Sequence, residues 1–366
     1  NIKDYSINKF KSKLLKSLEF ELPLELEAGE PPEERGLKRD EVKFMVSYKS
    51  DNRIINTKFK NITDFLNEGD LIIINTSGTL SASLDAVRKD GTKLKLNLST
   101  HLPSDLWIVE IRRIEETGTK PFYEMHSGET LALHGGGSIT LHSHYRYHSK
   151  EVIQESERLW IATLNITLSL KDYLKKYGVP IRYGYVKKDW PINYYQTVYA
   201  TEEGSAEMPS AGRAFSFELI TKLVAKGIKI VPLVLHTGVS SLEGNELPYE
   251  EYYKVPLESA KQINEARKTG KKIIAVGTTV IRALETVTDE DGITHPGEGL
   301  TKIIITPQKG IKSVNAMLTG LHEPKATHLA MLESLVGLEH LELTYTEALK
   351  NKYLWHEFGD LHLLLP

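Results

Sequence analysis

A chain of 366 residues is long enough for two or more domains with separate cores, and a formal net charge of −3 gives no overall pull toward nucleic acid. Any RNA contact would have to come from a local basic patch. The lack of cysteine removes disulfides, thiolate catalysis and cysteine-bound zinc, and agrees with a reducing, cytoplasmic setting. No apolar run reaches the roughly 18 residues that span a bilayer, and residues 1–20 are too lysine-rich for a signal peptide. The expectation is a soluble protein without membrane partners.

Residues 1–19 read as a frayed or amphipathic start, and residues 30–36, with two prolines and a glycine, as a loop. Val42–Tyr48 and Arg53–Phe59 read as a hairpin around Ser50, Asp51 and Asn52. A short helix over Ile62–Leu66 is expected next, then a strand over Leu71–Asn75 whose unbroken apolar run suits burial on both faces. From Thr79 to Leu164 the pattern turns to short strands, among them Lys93–Leu98, Trp107–Ile114 and Ser138–His144, with no convincing helix before residue 150. We read 79–164 as a small all-β barrel domain inserted into a larger α/β, barrel-like domain made of 1–78 and 165–366. The histidines of the insert, His126, His134, His142, His144 and His148, lack cysteine or carboxylate companions at metal-ligand spacing and read as surface residues. No metal is expected.

Strand and helix alternate again after residue 165. Helices are expected at Leu168–Tyr177, Ser216–Lys226, Leu257–Lys268, His328–Val336 and Tyr345–Tyr353, and strands at Ile228–Leu235, Ile273–Val276, Ile303–Thr306 and Leu361–Leu365. Met317–Lys325 reads as a loop. If the segment around Tyr195 is extended, Tyr195, Thr197 and Tyr199 share one face. After Ile273–Val276 the glycine at 277 breaks the run, and Thr278 or Thr279 is expected to cap a helix whose free amides and dipole suit an anion. Arg282 and Glu285, three residues apart, are expected on one face of that helix. Asn75, His236, Gly277 to Thr279 and the segment from Thr319 to Lys325 all fall at or beyond the carboxyl ends of strands, where α/β enzymes place their sites.

The spaced set Tyr195 to Ala200, Pro209 to Gly212, Leu235 with His236, Ala275 to Thr279 with Arg282 and Glu285, His322 with Pro324 and Lys325, and Gly359 with Asp360 resembles one family. It is the S-adenosylmethionine:tRNA ribosyltransferase-isomerase family of queuosine biosynthesis, and the match runs in order through most of 20–365. The resemblance implies an α/β domain carrying a β-barrel. It also implies S-adenosylmethionine as co-substrate and transfer of its ribosyl group, with isomerisation, onto an aminomethyl-deazaguanine in a tRNA anticodon. Four motifs depart. Asn-Asp-Thr-Arg becomes Asn75, Thr76, Ser77, Gly78, and Thr-Ala-Gly-Leu-His-Phe becomes Ser210 to Phe215 with Arg213 and Ala214. Thr-Asn-Phe-His-Leu-Pro becomes Thr319 to Pro324 with Glu323, and Ser-Tyr-Gly-Asp becomes Glu357 to Asp360.

As the resemblance and the residue chemistry suggest, His236 and His322 would share the proton transfers, and Glu285 or Asp360 would offset the sulfonium charge. Asn75, Tyr195, Gln196, Thr197, Tyr199, Ser210, Gly212 and Phe215 would line the cofactor site, with Tyr195, Tyr199 or Phe215 stacking on adenine. Gly277, Thr278, Thr279, Arg282, Thr319 and Lys325 would complete it, the helix start with Arg282 or Lys325 taking the methionine carboxylate. The departures read as a divergent paralogue that keeps S-adenosylmethionine and changes the acceptor, with activity on precursor tRNA weak or absent; a small-molecule, nucleobase-like acceptor is the alternative to tRNA. On that reading Arg213 and Glu323 meet a polar ligand or each other. A non-catalytic nucleotide- or RNA-binding protein is the remaining alternative. A monomer is expected.

Overall fold

Nine strands make the principal sheet of this computed structural model, which describes residues 18–148, 153–240, 246–324 and 326–366. In spatial order they are Gly297–Thr301, Glu251–Val255, Lys229–Leu235, Leu71–Asn75, Ile273–Val276, Ala316–Gly320, Leu361–Leu365, Lys43–Tyr48 and Arg53–Lys58. The four strands from Lys229–Leu235 to Ala316–Gly320 are mutually parallel, so their carboxyl ends open on one edge of the sheet. Leu361–Leu365 runs antiparallel to its neighbour Ala316–Gly320, and therefore begins on that same edge. Ile273–Val276 is buried along its whole length, as its unbroken apolar run predicts.

Alternate residues feed two cores. Ile73, Leu233, Ile273 and Ala275 pack with the helices Leu257–Lys268 and Thr278–Val287. Ile72, Ile274 and Val276 pack with Phe44, Phe59 and Phe215 on the opposite face. Six antiparallel strands between Ser83 and Asn165 form a second body, closed into a barrel by pairing of Ile153–Asn165 with Leu106–Glu115. Leu84, Leu96, Val109, Leu131, Leu141 and Trp160 belong to its core. Arg158, 5% exposed, fastens this barrel to the loop beyond His236. Its guanidinium donates to Glu110, to Glu246 at 2.6 Å and to the Val239 carbonyl at 3.3 Å. Removing one partner would leave a buried charge uncompensated, which typically costs about 3–5 kcal/mol.

Several expected elements differ. Ile303–Thr306 lies outside the sheet, which beyond Lys229–Leu235 continues with Glu251–Val255 and Gly297–Thr301 instead. Met317–Gly320, read as loop, belongs to the strand Ala316–Gly320. Its threonine and glycine mask a strand that pairing with Ile274–Val276 enforces. The last helix is Leu338–Lys350, and residues 62–66 fall largely in a 3₁₀ run, Phe59–Phe65. Tyr195 ends a 3₁₀ turn, Ile192–Tyr195, so Tyr195, Thr197 and Tyr199 do not share a strand face. The start expected over residues 1–19 lies almost wholly outside the described residues.

His362 sits fully buried in the sheet, its Nε2 2.8 Å from Ser47 Oγ. Burial pushes its imidazole down to about 3. The unfolded chain takes a proton there near pH 6.5, so between those values the unfolded state binds more protons and stability falls as pH falls. Well below pH 6.5 the slope from this one group is about 1.4 kcal/mol per pH unit. Thermal unfolding followed from pH 7 to pH 5 should show a falling midpoint, with a shallower fall in His362→Gln. An unchanged slope in that variant would remove His362 from the account.

Candidate active site at the carboxyl edge of the parallel strands

Asn75 closes the central strand and ties its neighbours to it. Its Oδ1 accepts from the amides of Leu235 (3.0 Å) and Ser77 (3.1 Å). Its Nδ2 donates to the Leu235 carbonyl (2.8 Å) and to Thr279 Oγ1 (3.2 Å). Gly277 then turns at φ +90°, a conformation that favours glycine, and starts the helix Thr278–Val287. Gly277 is itself the N-cap, so neither threonine caps the helix; Thr278 and Thr279 are buried in its first turn.

His236 follows the strand Lys229–Leu235 directly. Its ring lies against Tyr252, with centroids 5.2 Å apart, and its Nδ1 is 2.7 Å from Ser77 Oγ. Ser77 Oγ is in turn 2.5 Å from Ser205 Oγ, which accepts from the Thr237 amide. Desolvation lowers the affinity of His236 for a proton, with Glu202 opposing. The other face of the ring rests on Gly204, where a Cβ would lie 2.4–2.5 Å from three ring atoms.

His322 stands two residues beyond Ala316–Gly320. Its Nε2 is 2.8 Å from Thr319 Oγ1, its amide donates to Tyr345 Oη, and its ring stacks on His328 at 4.7 Å. Burial first, then His328 and His356, holds His322 well below the ordinary histidine range. Burial and the Arg282 charge bring His328 to about 4. Both imidazoles are therefore neutral near pH 7. Arg282 pairs with Glu251, whose Oε2 accepts from the Gly238 amide at 2.8 Å. Arg282 Nε is buried without a partner among the described residues. Arg282, whose charge acts on His328, and Glu251 thus link the surroundings of His322 to Gly238, two residues after His236.

Other expected site residues are differently employed. Glu285 points away from this edge and accepts from the Lys312 and Ser313 amides at 2.8 and 2.9 Å, so it does not pair with Arg282. Asp360 is buried as a brace between the Lys43 and Leu354 amides, at 2.8 and 2.7 Å. Gln196 spends its side chain on the amide and carbonyl of Thr79, both at 2.8 Å. Phe215 is core, edge-on to Phe59 at 5.0 Å, and the Tyr199 ring lies 5.9 Å from Phe215. Gly212 leaves room for Tyr199, whose hydroxyl a Cβ would meet at 1.8 Å. Tyr195 packs on Phe358 at 5.3 Å, and Thr197 Oγ1 is buried and unpartnered. Ser210 lines a crevice with Arg213, His356, Glu357 and Asp360. Lys325 lies outside the described residues.

The charges at the departing motifs do not meet each other, and Arg213, which lines the crevice beside Ser210, is paired within the fold. Arg213 donates to Glu33 at 2.8 Å and to the Tyr194 carbonyl at 2.8 Å, and lies over the Phe358 ring. Glu323 faces His356 Nδ1 at 3.7 Å, while Glu27 takes His356 Nε2 at 3.1 Å. Glu27, Glu323 and His356 are the one trio of histidine and carboxylate side chains among the described residues with potential metal-donor atoms within 4.8 Å of one another, and both ring nitrogens already face carboxylates. Glu251, His328, Tyr252 and Ser205 carried no local motif. Their place emerges only from the pairing of distant strands.

A profile of the queuosine biosynthesis protein family matches residues 15–364, and the chain belongs to that family. An S-adenosylmethionine:tRNA ribosyltransferase-isomerase from Caldanaerobacter subterraneus subsp. tengcongensis is 35% identical over 360 residues, covering 94% of this chain and 98% of that protein. The protein of that name from Thermotoga maritima is 31% identical over 361 residues, covering 95% and 98%. The crystal structure of an S-adenosylmethionine tRNA ribosyltransferase from Thermotoga maritima aligns with a TM-score of 0.51 at 25% identity, across 95% of this chain and 99% of that one.

Gly204→Ala should displace the His236 ring without opening the core, and misplacement by about 1 Å can cost about 100-fold in rate. Turnover measured beside circular dichroism checks this. Full activity with an intact fold would show that the ring position is immaterial.

Proposed function

We propose that this chain is an S-adenosylmethionine:tRNA ribosyltransferase-isomerase of queuosine biosynthesis, an enzyme that moves the ribosyl group of S-adenosylmethionine onto an aminomethyl-deazaguanine in tRNA and isomerises it. The observation that carries the reading is the end-to-end similarity to relatives of that name, at 31–35% identity over about 95% of the chain. The site supports it. The reaction needs a base for the acidic C5′ hydrogen beside the sulfonium, and a neutral imidazole is a competent base near pH 7. His236 and His322 are two such groups on one sheet edge. The unpaired Arg282 Nε and the first amides of Thr278–Val287 suit the amino-acid carboxylate. Tyr252, whose ring lies against His236, offers a face for adenine or the cation.

The pairing of Arg213 with Glu33 and of Glu323 with His356 bears on the acceptor. Arg213 is paired with Glu33 inside the fold and Glu323 lies 3.7 Å from His356, so neither requires a charged small molecule in place of tRNA. Pure protein incubated with S-adenosylmethionine and precursor tRNA should release adenine and methionine together, at a rate that depends on the tRNA. Adenine release that ignores tRNA but responds to a free deazaguanine would transfer the activity to a small acceptor. No adenine with any acceptor would defeat the enzymatic reading.

A further inference from the structure

We propose that Ser77 and Ser205, acting through His236, and Thr319, acting through His322, are positioning residues that make one histidine of the pair a hydrogen-bond donor and the other a proton acceptor toward the substrate. The inference deepens the reading above and rests on it for what the two groups do.

Ser77 and Ser205 are 1% and 0% exposed, so each hydroxyl hydrogen needs an acceptor within the protein. Ser205 Oγ already accepts from the Thr237 amide, and Ser77 Oγ, 2.5 Å away, is the acceptor in reach for its hydrogen. Ser77 must then send its own hydrogen to His236 Nδ1, 2.7 Å away. Reversing the chain would strand the Ser205 hydrogen in a site closed to water. In neutral His236, therefore, Nδ1 accepts and Nε2 carries the hydrogen. That N–H has no acceptor among the described residues and belongs to a half-buried ring, so it is available to a ligand.

At the other end of the site the polarity reverses. Thr319, 1% exposed, donates its hydroxyl hydrogen to the Gly320 carbonyl at 3.0 Å. Its oxygen is then free to accept from His322 Nε2–H at 2.8 Å. With its hydrogen committed to the Gly320 carbonyl, Thr319 has none to give Nε2, so the ring nitrogen is the donor of this pair. His322 thus holds its hydrogen on Nε2 and presents the Nδ1 lone pair. The two rings are the same tautomer held by opposite ends: His236 is gripped at Nδ1 and exposes a donor, His322 is gripped at Nε2 and exposes an acceptor.

For the reaction this fixes a direction. His322 Nδ1 takes the proton as the C5′–H bond breaks, and the electron pair stays on carbon. That pair forms a C4′–C5′ double bond as the C4′–O4′ bond breaks, the oxygen's pair closes a carbonyl at C1′, and the pair of the C1′–adenine bond leaves with adenine, where the His236 Nε2–H bond offsets the gathering charge. The strands carrying the two residues are separated by Leu71–Asn75 and Ile273–Val276, three strand spacings or about 14 Å along the edge. A ligand lying along that edge therefore meets the base and the donor at different points of its length.

The test is nitrogen NMR on the full chain labelled with ¹⁵N-histidine, at a pH near 7.5 and without substrate, with resonances assigned by His236→Gln and His322→Gln. Both rings should show a protonated Nε2 and an unprotonated Nδ1. Ser77→Ala should move His236 toward the Nδ1–H form, and Thr319→Val should do the same for His322. Ser77→Thr and Thr319→Ser, which keep the hydroxyls, should retain the original spectra. In both hydroxyl-deleted variants kcat for adenine release should fall by about 100-fold, with KM for S-adenosylmethionine little changed and circular dichroism intact. A hydrogen on Nδ1 of either ring in the starting protein, or spectra unmoved by Ser77→Ala and Thr319→Val, would overturn the inference. The spectra need no turnover. A protein inactive on every acceptor but with the expected tautomers would defeat the enzymatic reading and leave the positioning roles standing.

Discussion

One buried carboxamide holds the functional edge together. Asn75 makes four hydrogen bonds, two to the backbone of Leu235, one from Ser77 and one to Thr279. It thereby fixes the ends of three adjacent parallel strands relative to one another. An amide with two donors and two acceptor lone pairs can make such a junction, whereas a carboxylate in its place would face two carbonyl or hydroxyl oxygens without a hydrogen to give them. The expectation that Asn75 binds the co-substrate directly yields to this arrangement. The residue is saturated by the fold, and its effect on chemistry passes through the segments that carry His236 and Thr278.

Neutrality of the two histidines follows from the same construction. Neither ring has a carboxylate hydrogen-bonded to it; their partners are the hydroxyls of Ser77 and Thr319. Burial then disfavours the imidazolium, and at His322 the neighbouring His328 and His356 add to the effect. A pair with Asp or Glu would instead favour the charged form, raising the affinity for a proton but leaving less of the free base near pH 7. The nearest strong ion pair, Arg282 with Glu251, is turned onto the Gly238 amide and so stiffens the segment just after His236.

What the sequence made legible follows the strength of its local signals. The apolar runs at Leu71–Asn75 and Ile273–Val276, each ending in a polar or glycine residue, placed Asn75, His236 and Thr278 on one edge, because buried parallel strands leave little choice of register. Spacing along a helix was a poorer guide. Glu285 lies three residues from Arg282, yet Arg282 found Glu251 on a strand 31 positions earlier, and Glu285 capped loop amides at Lys312 and Ser313. Arg213 and Glu33 are separated by 180 positions, so no local pattern could pair them. Asp360 and Gln196 stood in motifs that resemble a family's, and in the structure both motifs are held by backbone hydrogen bonds from those side chains. A motif can mark a joint as readily as a contact.

A crystal structure of the protein with a non-reactive S-adenosylmethionine analogue would locate the co-substrate against the two histidines. The account predicts the analogue along the edge formed by Asn75, His236, Thr278 and His322, with adenine toward His236 Nε2 and C5′ toward His322 Nδ1. An analogue bound elsewhere on the molecule, or bound there with the two ends exchanged, would contradict it.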